Sequence, residues 1–143
     1  MIAGAQEGRP TGVSRLAVVL HPDLTQGLAA CVAGLLVGGL RCDAFDSPIA
    51  DVDAHLHVAI TCNLVVLRAK TEGQLHTLLT RAKDADVPAV AFTRLGQRLS
   101  NSYAEYRDAI RNGGTQELGV IGVGLFGPHD VMSEMTRSFS LFR

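Results

Sequence analysis

The apolar positions of this chain fall into runs separated by polar turns, and the runs switch between two periods. RLAVVLH (15–21) is a short β-rich run closed by Pro22, the pattern of a strand. LHPDLTQGLAACVAGLLVGGL (20–40) then leads through a polar turn into an almost wholly apolar tract, with no Lys or Arg between Arg15 and Arg41. Asp23 or Thr25 is placed to cap a helix there by accepting from its free N–H groups, and Gly38-Gly39 to end it. A helix that is apolar on every side is expected to be buried on more than one face, in the core or in a subunit interface.

Downstream, DVDAHLHVA (51–59) alternates, with Asp51, Asp53, His55 and His57 on one side and Val52, Ala54, Leu56 and Val58 on the other. A period of two predicts an edge strand or extended loop with one wet face. NLVVLRAK (63–70) reads as a buried strand. Thr71 and Gln74 make a capping box for a helix whose stripe is Leu75, Leu78, Leu79 and Ala82, and Asp86 ends it. VPAVAF (87–92) predicts a strand and TRLGQRLSN (93–101) a polar turn. Ser102 and Glu105 suggest a second capping box, for a helix with Tyr103, Tyr106 and Ile110 on one face, stopped at Asn112-Gly113-Gly114. ELGVIGVGLF (117–126) predicts a long strand, and Gly127-Pro128 a turn with Pro128 in the first turn of a last helix. Val131, Met132 and Met135 should face inward from it, and Phe139, Leu141 and Phe142 should fold back on the core. The alternation of strands and helices predicts an α/β domain over 13–143, its sheet covered on both faces, behind a loose Gly-rich tail at 1–12.

Composition narrows the classes. A length of 143 residues suits one domain, and 47% hydrophobic against 19% charged residues is a globular balance. Lys plus Arg (13) nearly equal Asp plus Glu (14), so no net field draws the protein to nucleic acid or anionic lipid. The longest apolar run, Leu28 to Leu40, falls short of the ~20 residues of a spanning helix, so no membrane partner is expected. The N-terminus lacks the apolar core of a signal peptide. Three cysteines, Cys31, Cys42 and Cys62, are odd in number and match no zinc spacing. Reduced thiols in a cytoplasmic protein are the expectation.

Few side chains offer chemistry. GVGLFG (122–127) matches a dinucleotide fingerprint, but that site wants an acid about 20 residues on, after a second strand. The sequence stops at Arg143, so these glycines are expected to permit close packing instead, and no cofactor is called for. His55 and His57 share one side with Asp51 and Asp53 and are weak metal candidates against a solvated strand face. His21, Asp23 and Cys31 surround the first strand-to-helix turn, where a Cys near a helix N-terminus with a His base is a weak nucleophile candidate. The bland alternative is a small buried hydrophobe at Cys31 and a turn or cap residue at Asp23. His76 and His129 read as surface residues. Lys70, Arg81, Lys83, Arg94 and Arg98, interleaved with Glu72, Asp84 and Asp86, read as a solvated face.

Three blocks, RLAVVLHPDLTQGLAA, VVLRAKTEGQLHTLLTRAKDADVPAVAF and LGVIGVGLFGPHDVMSEMTRSFSLF, resemble in this order the type II peptidyl-tRNA hydrolases. They are more similar still to a bacterial family of unknown function that shares that fold, with a D-L-x-x-G-L-A-A turn and helix and a late Y-L-G-V-x-L-[FY]-G-P strand and turn. The resemblance implies a three-layer α/β/α fold with a four-stranded mixed sheet, and a homodimer. The hydrolases cleave the ester between a peptide and its tRNA, using a motif D-L-x-M-G-K-G-K. Asp23, Leu24, Gly27, Ala29 and Ala30 match that family's pattern, while both lysines are missing. Cys31 stands where the hydrolases have Gln, Gly34 where they have His, and Arg94 where a later turn has its acid. The helix of 102–111 is an addition.

The scaffold of a site therefore looks retained without its charged working parts. Leu28 offers neither phosphate binding nor stabilisation of charge on an ester, which weakens the case for tRNA as a partner. The expected function is binding of a small molecule or protein partner in the cleft after the first strand, through Asp23, Thr25 and Gly27 beside His21, with Arg94 and Thr136 as neighbours. The alternative is an ester hydrolase, of peptidyl-tRNA or another ester, with a rearranged site using His21 or Cys31.

Overall fold

The computed structural model describes residues 13–143; the expected tail at 1–12 lies outside the described residues. In chain order the elements are β1 (Ser14–Leu20), α1 (Gln26–Leu40), β2 (Phe45–Ala50), β3 (Leu56–Ile60), β4 (Asn63–Arg68), α2 (Glu72–Asp84), β5 (Ala89–Thr93), α3 (Arg94–Arg98), α4 (Tyr103–Asn112), α5 (Thr115–Leu118), β6 (Val120–Pro128), α6 (His129–Met135) and β7 (Ser140–Leu141). β1 sits mid-sheet in the order β5-β6-β1-β4-β7, parallel to β4 and antiparallel to β6. The sheet is mixed. It has five strands rather than four, because the last residues pair with β4 (Leu67 with Leu141, Arg68 with Ser140).

β1 shows why the chain folds this way. Leu16 to Leu20 are all fully buried, and alternate side chains enter two different cores. Val18 and Leu20 pack with Ala29, Val32 and Leu36 of α1 on one face. Ala17 and Val19 pack with Leu75, Leu78 and Ala82 of α2 and with Met132 and Met135 of α6 on the other. A strand covered on both faces has no use for polar alternation, so its sequence is a continuous apolar run. Close approach of α1 depends on Gly122: a Cβ there would lie 2.9 Å from both Val32 and Leu36 side chains. The glycine motif is thus used for packing.

Several local expectations change. Thr25, not Asp23, caps α1, its hydroxyl accepting from Leu28 N–H at 3.3 Å. The helix runs past Gly38-Gly39 to Leu40 and ends on Arg41 in the left-handed region. Within one chain it buries only Ala29, Val32 and Leu36, so the expectation of burial on several faces is not met there. The polar turn after β5 is the helix α3, capped by Thr93 Oγ1 accepting from Gly96 N–H at 3.0 Å. Residues 115–118 form α5, and Gly119 (φ 74°) redirects the chain into β6. Pro128 is the N-cap of α6 rather than part of its first turn, and Val131 faces outward. Ser102 hydrogen-bonds Glu105 side chain to side chain, without the backbone bonds of a capping box. Phe139 and Phe142 pack on opposite faces, while Leu141 is half-exposed.

The largest change lies in residues 45–60. The expected strand over 51–59 is a turn followed by β3, and β3 pairs antiparallel with β2 in a separate two-stranded hairpin. Asp51 forces the turn: its Oδ1 accepts from Asp53 and His55 N–H (2.9 and 3.1 Å), and Ala54 takes φ 69°. Among the described residues no helix is long and apolar enough to cross a membrane.

Candidate functional site

At the C-terminal end of β1 the sheet hands its last backbone bonds to the loops. His21 N–H donates to Ile121 C=O (2.9 Å), and Ala69 N–H donates to Leu20 C=O (2.9 Å). The second bond carries the β4–α2 junction alongside His21, so that Glu72, first residue of α2, arrives beside it. Arg94 opens α3, tied by its own N–H to Gly119 C=O (2.8 Å). Gly119 serves twice: its positive φ makes the turn, and a Cβ there would stand 3.0 Å from Arg94 Nη1.

The side chains converge. Arg94 Nη1 donates to Glu72 Oε1 at 2.7 Å, and Arg94 Nη2 lies 3.3 Å from His21 Nε2. His21 Nε2 is 3.6 Å from Glu72 Oε1, and His76 Nε2 is 3.6 Å from Glu72 Oε2. His21 is buried, its Nδ1 accepting from Asp23 N–H at 3.1 Å. The imidazole lies between the Asp23 N–H and the Arg94 guanidinium, with Glu72 Oε1 at its side. Burial pushes the Glu72 carboxyl up, but the Arg94 hydrogen bond and charge, with His76 and His21, outweigh it, and its pKa falls below the ordinary value.

A family described as a protein of unknown function (DUF2000) matches residues 14–143. This chain belongs to the DUF2000 family. No curated protein matches it. The DUF2000 chain is similar to a solved structure, the protein of unknown function Atu0240 from Agrobacterium tumefaciens strain C58. The TM-score is 0.77 at 16% identity, covering 91% of this chain and 98% of that one. At such identity the likeness shows the fold alone.

Of the residues singled out in sequence, His21 and Arg94 meet, and Asp23 stands exposed beside them with its carboxylate 3.9 Å from His21 Nδ1. Gly27 opens outward on the first turn of α1, where a Cβ would meet nothing within 4 Å. Thr136 is not joined to the cluster; it is buried, its hydroxyl bonded to Met132 C=O of its own helix (2.7 Å). Cys31 is exposed, more than a turn into α1, so it is not a buried hydrophobe. His57 Nε2 lies 2.7 Å from Asp51 Oδ2 and staples the hairpin turn, while His55 contributes its backbone N–H. Among the described residues no three His, Cys, Asp or Glu side chains gather as a metal would need.

Sequence reasoning missed Glu72 and His76, which it placed on a solvated face. The signal available was modest: Glu72 follows a capping Thr71, and His76 stands four residues on, within reach on the same helix face. Two concavities lie away from the cluster. One, about 410 Å³, is lined by Leu35, Phe92, Leu99 and Tyr103. The other, about 580 Å³, is lined by Leu79, Lys83, Ile110 and Leu118. The polar chemistry therefore sits on an open rim rather than in the apolar hollows.

Proposed function

We propose that this protein binds a small acceptor-bearing molecule, such as a carboxylate, at the rim formed by His21, Glu72 and Arg94, on a scaffold of the type II peptidyl-tRNA hydrolase kind. One observation carries the reading: the Arg94 guanidinium, held by Glu72 at 2.7 Å, sets its Nη2 group 3.3 Å from His21 Nε2, so that polar nitrogens converge on one open rim. A ligand oxygen there accepts from Arg94, and charge-assisted bonds to Arg are the stronger kind. Arg94 is half-exposed and reachable from solvent. Asp23 and the open first turn of α1 at Thr25 and Gly27 form the rest of the rim. The mixed sheet and the Asp23-Leu24 turn support the scaffold, and the missing lysines argue for binding over hydrolysis. The test is a thermal-shift screen of small carboxylates and phosphates. A ligand should stabilise the wild type and lose its effect in Arg94→Ala and Asp23→Ala, both of which should remain folded. Full retention of binding in both variants rejects the reading.

Ester hydrolysis is the second reading, favoured by the Asp23 carboxylate 3.9 Å from His21 Nδ1. It requires His21 to release the Asp23 N–H before it acts as a base. Release of peptide from peptidyl-tRNA, beside an authentic type II hydrolase, decides it. Turnover that vanishes in His21→Ala supports it; no turnover beside a working control removes it.

A further inference from the structure

Between α2 and the segment α4–α5 runs a groove with two parts. The inner part, about 580 Å³, is aliphatic: Leu79 of α2 forms one wall, Ile110 of α4 and Leu118 of α5 the other, and Val87 and Val120 lie at its base. The outer part, about 350 Å³, is polar and is lined by His76, Thr80 and Gln116. Leu79, Lys83 and Thr115 line both parts, so the two adjoin. Neither part is lined by His21, Glu72 or Arg94, so the groove is distinct from the rim at the end of β1.

The sequence builds both walls. His76, Leu79, Thr80 and Lys83 stand at i, i+3, i+4 and i+7 on α2 and share one side of it, next to the stripe of Leu75, Leu78 and Ala82 that enters the core. Opposite, Gly113 lets the chain turn tightly from α4 into α5. A Cβ there would lie 2.7 Å from Leu118 Cδ2 and 2.9 Å from the Ala109 carbonyl oxygen. Leu118 is thereby seated against the end of α4. A wall set in advance lowers the ordering cost of binding.

The charge in this groove is Lys83. It is exposed, and among the described residues it makes no ion pair. No Asp or Glu lines either part. His76 is already answered, its Nε2 lying 3.6 Å from Glu72 Oε2. One cation beside the hydroxyls of Thr80 and Thr115 matches an anion of one charge. A carboxylate fits that, whereas a phosphate monoester carries about −1.5 to −2. The aliphatic walls match an alkyl chain; rings are better matched by the other hollow, with its Phe92 and Tyr103. The inner volume falls within the roughly 300–1,000 Å³ of small-molecule sites.

We infer that the groove binds a straight-chain alkyl carboxylate, its chain along Leu79, Ile110 and Leu118 and its carboxylate at Lys83. Burial of the chain drives binding, and a charge-assisted bond from Lys83 Nζ orients it. The inference stands apart from the rim at Arg94 and does not rest on it.

The experiment is calorimetric titration of the full-length chain with acetate, hexanoate, octanoate and decanoate below their micelle concentrations, with amide shifts by NMR to place the ligand. Affinity should rise about three- to fourfold for each methylene added. Equimolar acetate should not displace decanoate. Decanoate should move the amides of Ile110, Leu118 and Val120 and leave those of Leu35 and Tyr103 in place. Lys83→Gln, a change at an exposed position, should stay folded by circular dichroism and weaken decanoate about tenfold. Lys83→Arg should restore most of that loss. An affinity flat across the series, decanol binding as tightly as decanoate, displacement by equimolar acetate, amide shifts at Leu35 and Tyr103 instead, or wild-type affinity in Lys83→Gln overturns the proposal.

Discussion

β1 and β3 are both short strands rich in aliphatic residues, and they end in opposite surroundings. In β1, Leu16 to Leu20 have no exposed surface, while in β3 Leu56, Val58 and Ile60 keep 69%, 77% and 40% of theirs. The difference is one of covers. β1 has a strand on each edge and helices on each face, whereas β3 pairs with β2 alone. A continuous apolar run marks a strand whose covers lie in the same chain. An alternating run calls for a cover on one face, and among the described residues that face of β3 stays largely open.

Truncating a leucine in each strand separates the two most. Leu20→Ala should cost about 2–5 kcal/mol by urea unfolding, as a buried leucine does. Leu56→Ala should change the stability of the isolated chain by no more than about 0.5 kcal/mol. Equal losses would mean that the β2–β3 hairpin is packed inside the chain. Glycines give the next test. Gly122→Ala pushes a methyl into Val32, Leu36 and Leu20 and should cost about 1–3 kcal/mol. Gly34→Ala, on the open side of α1, should raise stability by about 0.5–1 kcal/mol. A cost at Gly34 in the chain's monomeric state would show that this side is already covered.

Smaller effects separate the polar cluster from the hairpin. Glu72 has a folded pKa below its ordinary 4.5, so its contribution is fully present above that value and is lost as pH falls through the lowered folded value. Glu72→Gln should lose at most about 1 kcal/mol at neutral pH and should flatten the acid limb of a stability–pH curve below pH 4.5. An unchanged acid limb would detach Glu72 from Arg94. The smallest effect belongs to Asp51, whose carboxyl lies below its ordinary 3.8 because of the His57 hydrogen bond, with backbone N–H groups adding to it. Asp51→Asn should speed amide exchange at Asp53 and His55 with little change in global stability. The wild-type turn should loosen in the same way only as pH falls through the lowered Asp51 value.

Much of the scaffold was legible because the signals were local. The run in β1, the cap at Thr71 and the stripe of α2 each act over a few residues. β2 was not legible, since FDSPIA has no clean period and acquires its strand only by pairing Phe45 with Ile60. α3 was hidden by Gly96 in its middle, where a Cβ would stand 2.9 Å from both Phe92 and Tyr106 rings. At the candidate site His21 and Arg94 could be named in advance. Glu72 and His76 could not, because charges on an amphipathic helix read as solvated.

The α/β alternation, the apolar character of β1 and α1 and the two-faced pattern of β3 follow from neighbours along the chain, because propensity, capping and periodicity are local. Which of those apolar faces are covered follows only from packing. It also decided that residues 21, 72 and 94 meet. Both depend on register: the parallel pairing of Leu20 with Arg68 and the bond from Ala69 to Leu20 bring distant loops to one end of the sheet. No local rule contains the partner strand.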